Sequence, residues 1–258
     1  MPKGDDVPPE DRSHAAKVPA VTLGFWIIKI LATTLGETGG DSVSMTLDLG
    51  YLVGTLIFLA LLIGFVIAQI RARRFHPWLY WATIIASTMA GTTLADFADR
   101  SLGIGYAGGS ALLLASVLAS LAAWRFTLGT VSVDSVNTPR AEAFYWLTIT
   151  LSQTLGTALG DWAADDGGLG YLGGALVFGG AIAALALAWR LTAISRTALF
   201  WAVFILTRPL GATVGDFLDK PVAKGGLDFS RPLASLVLGI AIAGLIALWP
   251  QRAAHHPQ

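Results

Sequence analysis

A tryptophan, a glycine and an aspartate recur at fixed spacing four times along this chain of 258 residues. In each copy the glycine follows the tryptophan by ten residues and the aspartate follows it by fifteen. The copies are Trp26-Gly36-Asp41, Trp81-Gly91-Asp96, Trp146-Gly156-Asp161 and Trp201-Gly211-Asp216. Successive tryptophans are 55, 65 and 55 residues apart, so the copies form two pairs. Because one such unit cannot bury its own apolar face, the repeat predicts four like units packed against one another.

The composition places these units in a lipid bilayer. Hydrophobic residues make up 54% of the chain and charged residues only 13%, whereas soluble domains carry about 25% charge. Apolar stretches long enough to cross a bilayer as helices cover residues 20–40, 49–70, 78–97, 105–124, 142–161, 170–189, 197–216 and 230–249. With two stretches in each copy, we predict an all-α polytopic membrane protein. Its eight transmembrane helices would form four parallel repeats around a pseudo-symmetry axis along the membrane normal.

The predicted organisation is a single transmembrane domain between two polar tails. Residues 1–18 form the first tail, because their mixed charge differs from the basic start of a cleaved signal peptide. The domain covers residues 19–250, with repeats at about 19–72, 73–127, 138–191 and 192–250, and residues 251–258 form the second tail. Basic residues concentrate on the side of the tails: Lys3, Arg12, Lys17, Arg71, Arg73, Arg74, Arg125, Arg140, Arg190, Arg196 and Arg252. The positive-inside rule therefore predicts that both termini are cytoplasmic.

The opposite side of the membrane has few basic residues and many carboxylates. Its basic residues are Arg100, Lys220, Lys224 and Arg231. Its aspartates are Asp41, Asp48, Asp96, Asp99, Asp161, Asp165, Asp166, Asp216, Asp219 and Asp228. This excess of acids predicts an outer mouth that attracts cations and repels anions.

Composition also excludes several kinds of function. Without cysteine, the chain has no disulfide framework and no thiolate metal site, and its four histidines lie outside the apolar stretches. A formal net charge of zero argues against a polybasic nucleic-acid binder. The apolar stretches contain no Ser-His arrangement, so we expect no enzyme and no cofactor beyond a bound divalent cation. The expected partners are the bilayer and a small cation, and a homo-oligomer stays open.

The first helix of each repeat carries a polar stripe. Superposing the copies aligns three positions four residues apart, which share one helix face. They are Thr33, Thr88, Gln153 and Arg208, then Glu37, Thr92, Thr157 and Ala212, then the four repeat aspartates. Lipid does not tolerate such groups, so the stripes face protein or water. Each aspartate lies about 22 Å along the helix from its tryptophan, so we expect tryptophans at the inner interface and carboxylates near the outer one. The aspartates either line an ion pathway or merely solvate helix ends.

Small residues run beside the stripe at a spacing of four. They are Gly36 and Gly40, Gly91 and Ala95, Gly156 and Gly160, and Gly211 and Gly215. This spacing lets helix backbones approach closely in a membrane, so we predict a packing role for these glycines.

Three charged residues break the symmetry of the repeat. Lys29 aligns with isoleucine, isoleucine and phenylalanine, Glu37 with threonines and alanine, and Arg208 with threonines and glutamine. Lys29 either extends to the inner membrane surface or belongs to a gate. Arg208 precedes Pro209, which we expect to kink the seventh helix. A buried arginine needs a partner, and Glu37 matches it in charge and depth, so we predict a pair that is either structural or a cation-displaceable gate.

The four copies with their tryptophan and their Gly-x-x-x-Gly/Ala-Asp end resemble a family of bacterial membrane proteins defined by a tandem repeat of unknown function. The resemblance covers residues 18–250 and implies an eight-helix, multi-pass protein of the bacterial inner membrane. It implies no activity. The segment from Gly36 to Asp41 is also similar to the Glu-x-Gly-Asp motifs of manganese and calcium exchangers, although spacing and repeat number differ.

Two functions are consistent with these features. The first is a transporter or exporter of a small hard cation, with manganese favoured because only oxygen ligands are available. Exchange with a proton would follow if a buried carboxylate trades its proton for the cation. The tentative metal ligands are Glu37, Asp41, Asp96, Asp161 and Asp216, with Thr33, Thr88, Thr92, Gln153 and Thr157 beside them and Lys29 and Arg208 as charge partners. The alternative is a membrane scaffold or sensor whose polar stripes are structural.

Overall fold

The computed structural model describes residues 16–254, which form eight long helices and several short turns. The long helices are α1 (Leu23–Asp41), α2 (Gly50–Arg71), α3 (Pro77–Asp96), α4 (Tyr106–Leu128), α5 (Pro139–Asp161), α6 (Gly170–Leu191), α7 (Arg196–Asp219) and α8 (Arg231–Leu248). Each coincides with a predicted apolar stretch to within a few residues. The tail residues 1–15 and 255–258 lie outside the described part of the chain.

Five of these helices, α2, α4, α6, α7 and α8, are long and apolar enough to cross a membrane. The other three, α1, α3 and α5, have similar lengths but carry the polar stripe, which lowers their hydropathy. Exposure divides the eight helices differently, because α2, α4, α6 and α8 are mostly exposed, whereas α1, α3, α5 and the fourth stripe-bearing helix, α7, are mostly buried.

The first helices of the four repeats form a closed ring, in which α1 packs on α3, α3 on α5, α5 on α7 and α7 on α1. Each second helix packs on the outside of this ring against the first helix of the following repeat. Thus α2 contacts α3, α4 contacts α5, α6 contacts α7, and α8 closes the circle on α1. Every repeat therefore completes its neighbour, as the duplication predicts.

The glycine ladder closes the ring. A Cβ on Gly36 would collide with Thr88 of α3, one on Gly91 would lie 2.9 Å from Gln153 of α5, and one on Gly156 would collide with Arg208 of α7. A Cβ on Gly211 would meet Thr33 of α1, so the same contact recurs around the full circle. The predicted packing role is confirmed at these positions, and Gly40, Gly160 and Gly215 make similar contacts one turn further on.

Aromatic side chains fill the end of the ring near the tails. Trp81, Trp146 and Trp201 are buried there among tilted and edge-to-face rings. These three repeat tryptophans therefore pack inside the protein and do not face lipid.

The first and last described segments of the chain cover this aromatic layer. Residues 16–20 pair with residues 252–254, and Ala16 and Val18 are buried in the same hydrophobic cluster as the aromatics. Lys17 forms an ion pair of 2.7 Å with Glu142 at the start of α5. Residues 16–18, predicted as tail, are thus part of the folded domain.

The turns at the opposite end differ between repeats. In the first three repeats the helix continues into a π-helical turn, at Ser42–Thr46, Phe97–Ser101 and Trp162–Asp166. The fourth repeat instead has a longer α7 and a 3₁₀ turn at Val222–Lys224. Helix α7 runs through Pro209 without interruption.

Candidate functional site

The polar stripes of the four ring helices, predicted to face protein or water, face one another at the centre of the ring. The side chains form layers one helical turn apart, and nearly all are fully buried. From the tail side the layers are Phe25, Tyr80, Tyr145 and Phe200; Lys29, Ile84, Ile149 and Phe204; Thr33, Thr88, Gln153 and Arg208; Glu37, Thr92, Thr157 and Ala212; and Asp41, Asp96, Asp161 and Asp216. Polarity therefore rises from the aromatic end to the carboxylate end.

Arg208 connects all four ring helices. Its side chain is 0% exposed, and its Nη2 lies 2.8 Å from the Glu37 Oε2, which confirms the predicted pair. The same nitrogen donates to the hydroxyls of Thr92 at 2.5 Å and Thr157 at 2.6 Å. Nη1 donates to the Thr33 carbonyl at 3.3 Å. A guanidinium with several donors in one plane suits this role, since one side chain bonds to α1, α3 and α5 together.

The other residues of the Arg208 layer differ in their contacts: two bind the backbone of a neighbouring helix, and the side chain of one has no hydrogen-bond partner in the part of the chain that the structure describes. Thr33 donates to the Thr207 carbonyl at 3.1 Å and Thr88 to the Ala32 carbonyl at 3.3 Å, so both hydroxyls join neighbouring helices. These two predicted ion-site residues bind backbone instead. Gln153 is fully buried, and neither its Nε2 nor its Oε1 has a hydrogen-bond partner among the described residues.

The four repeat aspartates are buried and held in two pairs by basic side chains. Lys220 Nζ lies 2.9 Å from Asp41 Oδ2 and 2.9 Å from Asp216 Oδ1. Arg100 Nε lies 2.9 Å from Asp96 Oδ1, and its Nη2 lies 3.3 Å from Asp161 Oδ2. One basic residue thus bridges the aspartate of its own helix and that of the next repeat.

Sequence reasoning did not assign Arg100 and Lys220 to the site. Each lies four residues after its repeat aspartate, the spacing that favours an ion pair on a continuing helix. The same position holds Met45 in the first repeat and Asp165 in the third, so basic residues occur in alternate repeats only. The repeat alignment, extended one turn beyond the aspartates, contains this signal.

The two bridging groups keep their positive charges. Burial alone would lower the pKa of Arg100, but Asp96 and Asp161 raise it above its ordinary value. In the same way the carboxylates of Asp216 and Asp41 raise the pKa of Lys220 against the effect of burial. Both side chains are therefore permanent cations at physiological pH.

Three carboxylates lie close enough together to hold one cation. Oxygens of Glu37, Asp41 and Asp216 all lie within 4.8 Å of one another, and all three residues are buried. The Oδ1 of Asp41 has no hydrogen-bond partner among the described residues. Such a set of hard oxygen ligands suits Mg²⁺, Ca²⁺ or Mn²⁺. Asp96 and Asp161 belong to the other half of the ring and are not part of this cluster.

A surface cavity of about 630 Å³ opens beyond the aspartates. Its lining includes all four basic residues of this side, Arg100, Lys220, Lys224 and Arg231, together with Asp165 and the phenols of Tyr106 and Tyr171. The prediction of an acidic mouth is wrong for this cavity, because the repeat aspartates lie beneath the basic side chains and are paired with them.

Lys29 lies deep in the ring, one turn below Arg208. Its side chain is 0% exposed, and its Nζ lies 4.2 Å from the centroid of the Phe204 ring without a hydrogen-bond partner among the described residues. The interpretation that it extends to the inner surface is wrong, since the aromatic layer lies in between.

The sequence was compared with protein families, curated proteins and solved structures. The model of one family, described as Repeat of Unknown Function (DUF347), matches the chain four times, at residues 24–75, 79–130, 144–195 and 199–252. Each match begins two residues before a repeat tryptophan and contains one ring helix and one outer helix. No curated protein and no solved structure matches the chain.

Proposed function

The chain belongs to this family of tandem repeats, and from its geometry we propose that it is a membrane transporter or exporter of a small hard cation such as Mn²⁺. The observation that carries the proposal is the buried cluster of Glu37, Asp41 and Asp216, whose oxygens lie within 4.8 Å of one another. Buried acids inside membrane proteins commonly mark ion pathways.

The proposal includes the membrane arrangement. All eight helices cross the bilayer of a bacterial inner membrane as four parallel repeats, with both termini cytoplasmic. Three observations support it. The carboxylates of all four ring helices meet at one end and their aromatics at the other. The helices α1, α3 and α5 are as long as the apolar ones, and the ring buries their polar stripes.

Basic side chains hold the places that a substrate cation would take. The Lys220 ammonium bridges Asp41 and Asp216, and the Arg208 guanidinium pairs with Glu37. Removing both charges without replacement would leave acids buried and unpaired, which is costly. An entering cation compensates this cost, so its binding and the departure of Lys220 are one exchange. Lys220 also lines the cavity, and it can therefore swing into water.

The cluster is separated from the tail side by two closed layers. Ile84, Ile149 and Phe204 fill the layer of Lys29, and the aromatic residues fill the next. On the cavity side, the basic side chains that pair with the aspartates cover the cluster, so the described conformation is closed toward the tails and separated from the cavity by Lys220. Transport requires a second conformation in which these layers separate.

The test is Mn²⁺ flux into liposomes that contain the purified protein. We expect flux with the wild type, and its loss in Glu37→Gln and in Asp216→Asn, which each remove one carboxylate of the cluster. Asp166→Asn is the matched control, because Asp166 is an exposed acid of the same end. Wild-type flux in both central variants, or no flux in any protein, would overturn the proposal.

The alternative function, a non-transporting scaffold or sensor, is favoured by one observation. Each repeat aspartate already has a protein cation within 3.3 Å, so the network needs no external ion. This alternative predicts that divalent cations neither stabilise the protein nor cross the membrane through it. The four basic side chains of the cavity lining would also suit an anionic ligand. If the cavity binds an anion, inorganic phosphate should alter the measured flux; if it serves only a cation, phosphate should have no effect.

A further inference from the structure

Lys29 is the buried charge that the proposed transport cycle leaves unexplained. It is fully buried, and its Nζ has no acceptor among the described residues. Its one close contact of note is the face of the Phe204 ring, 4.2 Å away. An ammonium without water and without an anion is unfavourable in such a place, whereas a neutral amine is tolerated.

The groups that face Lys29 from its neighbours add to this cost. On α7, Arg208 lies one turn toward the cavity and carries a positive charge. The only titratable side chain of α3 before Asp96 is the Tyr80 phenol, and the only charged residue of α8 is Arg231 at the far end. Across the ring, α5 contributes the uncharged Gln153 and the Tyr145 phenol. On α1 itself, the nearest acid is Glu37, two turns away and paired with Arg208.

The position of Lys29 suits exchange of a proton. It lies between the Arg208 layer and the pair of phenols, Tyr80 and Tyr145, whose oxygens are 2.6 Å apart. Polar groups therefore continue from the carboxylates through Gln153 and Lys29 to the phenols. A proton, unlike a metal ion, needs no cavity to occupy such a column.

We propose that Lys29 is the proton-binding site of this protein, an amine that accepts a proton more readily when the cation site is empty than when it is filled. The inference rests on the proposed function. A divalent cation at Glu37, Asp41 and Asp216 and a proton on Lys29 repel each other in a medium of low dielectric constant. Binding of the cation then releases one proton from the Nζ, and release of the cation lets the amine take one up. Only the N–H bond forms and breaks.

The first experiment observes the amine directly. The full chain has five lysines, Lys3, Lys17, Lys29, Lys220 and Lys224, so ¹⁵N-lysine NMR in nanodiscs gives few signals. The signal missing in Lys29→Arg identifies Lys29. We expect it to be a neutral amine near pH 8, to become an ammonium as the pH falls, and to require a lower pH when Mn²⁺ is present. Exposed Lys224 is the internal control and should stay an ammonium. An ammonium signal for Lys29 throughout this range would overturn the proposal.

The second experiment measures proton release during Mn²⁺ uptake into liposomes. Lys29→Met should bind Mn²⁺ but release no proton, and Lys29→Arg, with its permanent charge, should bind Mn²⁺ at least tenfold more weakly. Because methionine replaces an unpaired buried amine with an apolar side chain of similar length, Lys29→Met should fold and melt at or above the wild-type temperature. Proton release equal to wild type in Lys29→Met would overturn the proposal. If the wild type moves no Mn²⁺, the transport function fails, and the NMR titration still decides whether Lys29 is a proton site.

Discussion

The deep layer around Arg208 and the outer layer of aspartates hold charges in two different ways. The deep layer has one ion pair, which joins Arg208 to Glu37 of the next layer and has no equivalent in the other repeats. The outer layer has two similar bridges, in which Arg100 and Lys220 occupy corresponding positions in the second and fourth repeats. The Arg208–Glu37 pair thus lies in the buried centre of the ring, whereas the two bridging residues Arg100 and Lys220 also line the surface cavity. Exchange with an external cation is therefore easiest at the two outer bridges.

The deep pair should carry the largest energetic effect. Arg208→Met leaves Glu37 buried and unpaired, which should lower the free energy of unfolding by about 3–5 kcal/mol. Denaturation in mild detergent measures this loss. The double variant Glu37→Gln with Arg208→Met should recover most of it, because no unpaired charge is left. A loss under about 1 kcal/mol for the single variant would show that the deep layer is not the rigid centre.

Close packing around the same centre gives the next largest effect. Gly156→Ala introduces a Cβ that collides with Arg208 and lies 2.9 Å from Pro209 Cδ. The shift that it forces should cost about 1–3 kcal/mol, as overpacking does. Gly180→Ala on the exposed side of α6 is the control, since its Cβ meets nothing within 4 Å. Equal melting temperatures for the two variants would contradict the close approach of α5 and α7.

The two outer bridges should differ from each other. The Lys220 side chain is 10% exposed and that of Arg100 is 31% exposed, so water compensates the loss of Arg100 better. We expect Lys220→Met to cost about 1.5–3 kcal/mol and Arg100→Met to cost under about 1 kcal/mol. The same unfolding assay ranks them. The reverse order would show that the two bridges do not differ in the way their exposure indicates.

Salt should change the cost of a substitution in the outer layer but not in the deep layer, and this is the smallest of the expected effects. At about 1 M ionic strength the screening length falls to about 3 Å, so the cost of Arg100→Met should shrink by a few tenths of a kcal/mol. The cost of Arg208→Met should stay the same, because its surroundings exclude solvent. Comparable salt dependence in both variants would mean that water reaches the deep layer.

Much of this arrangement follows from the sequence, and the exceptions have physical causes. The apolar stretches predicted the eight helices, helical periodicity predicted one polar stripe on each ring helix, and matching charge and depth predicted the contact between Glu37 and Arg208. The burial of Trp81 was not predicted, since an aromatic side chain at a helix end can pack against lipid headgroups or inside the protein, and the sequence does not distinguish the two. The roles of Arg100 and Lys220 were missed because turn residues on the outer side were counted only as loop charges.

Binding of Mn²⁺ to the outer layer tests the central claim most directly. If Lys220 occupies a cation position, Mn²⁺ should stabilise Lys220→Met more than it stabilises the wild type. The total stabilisation of the variant should be about 2.7 kcal/mol at an Mn²⁺ concentration 100 times the dissociation constant. Adding Asp216→Asn should abolish the gain, and Arg100→Met should gain less, since no third carboxylate of the cluster lies in its half of the ring. Thermal unfolding with and without Mn²⁺ measures all four proteins. Equal Mn²⁺ stabilisation in all of them, or none in any, would contradict the claim that these carboxylates form a cation site.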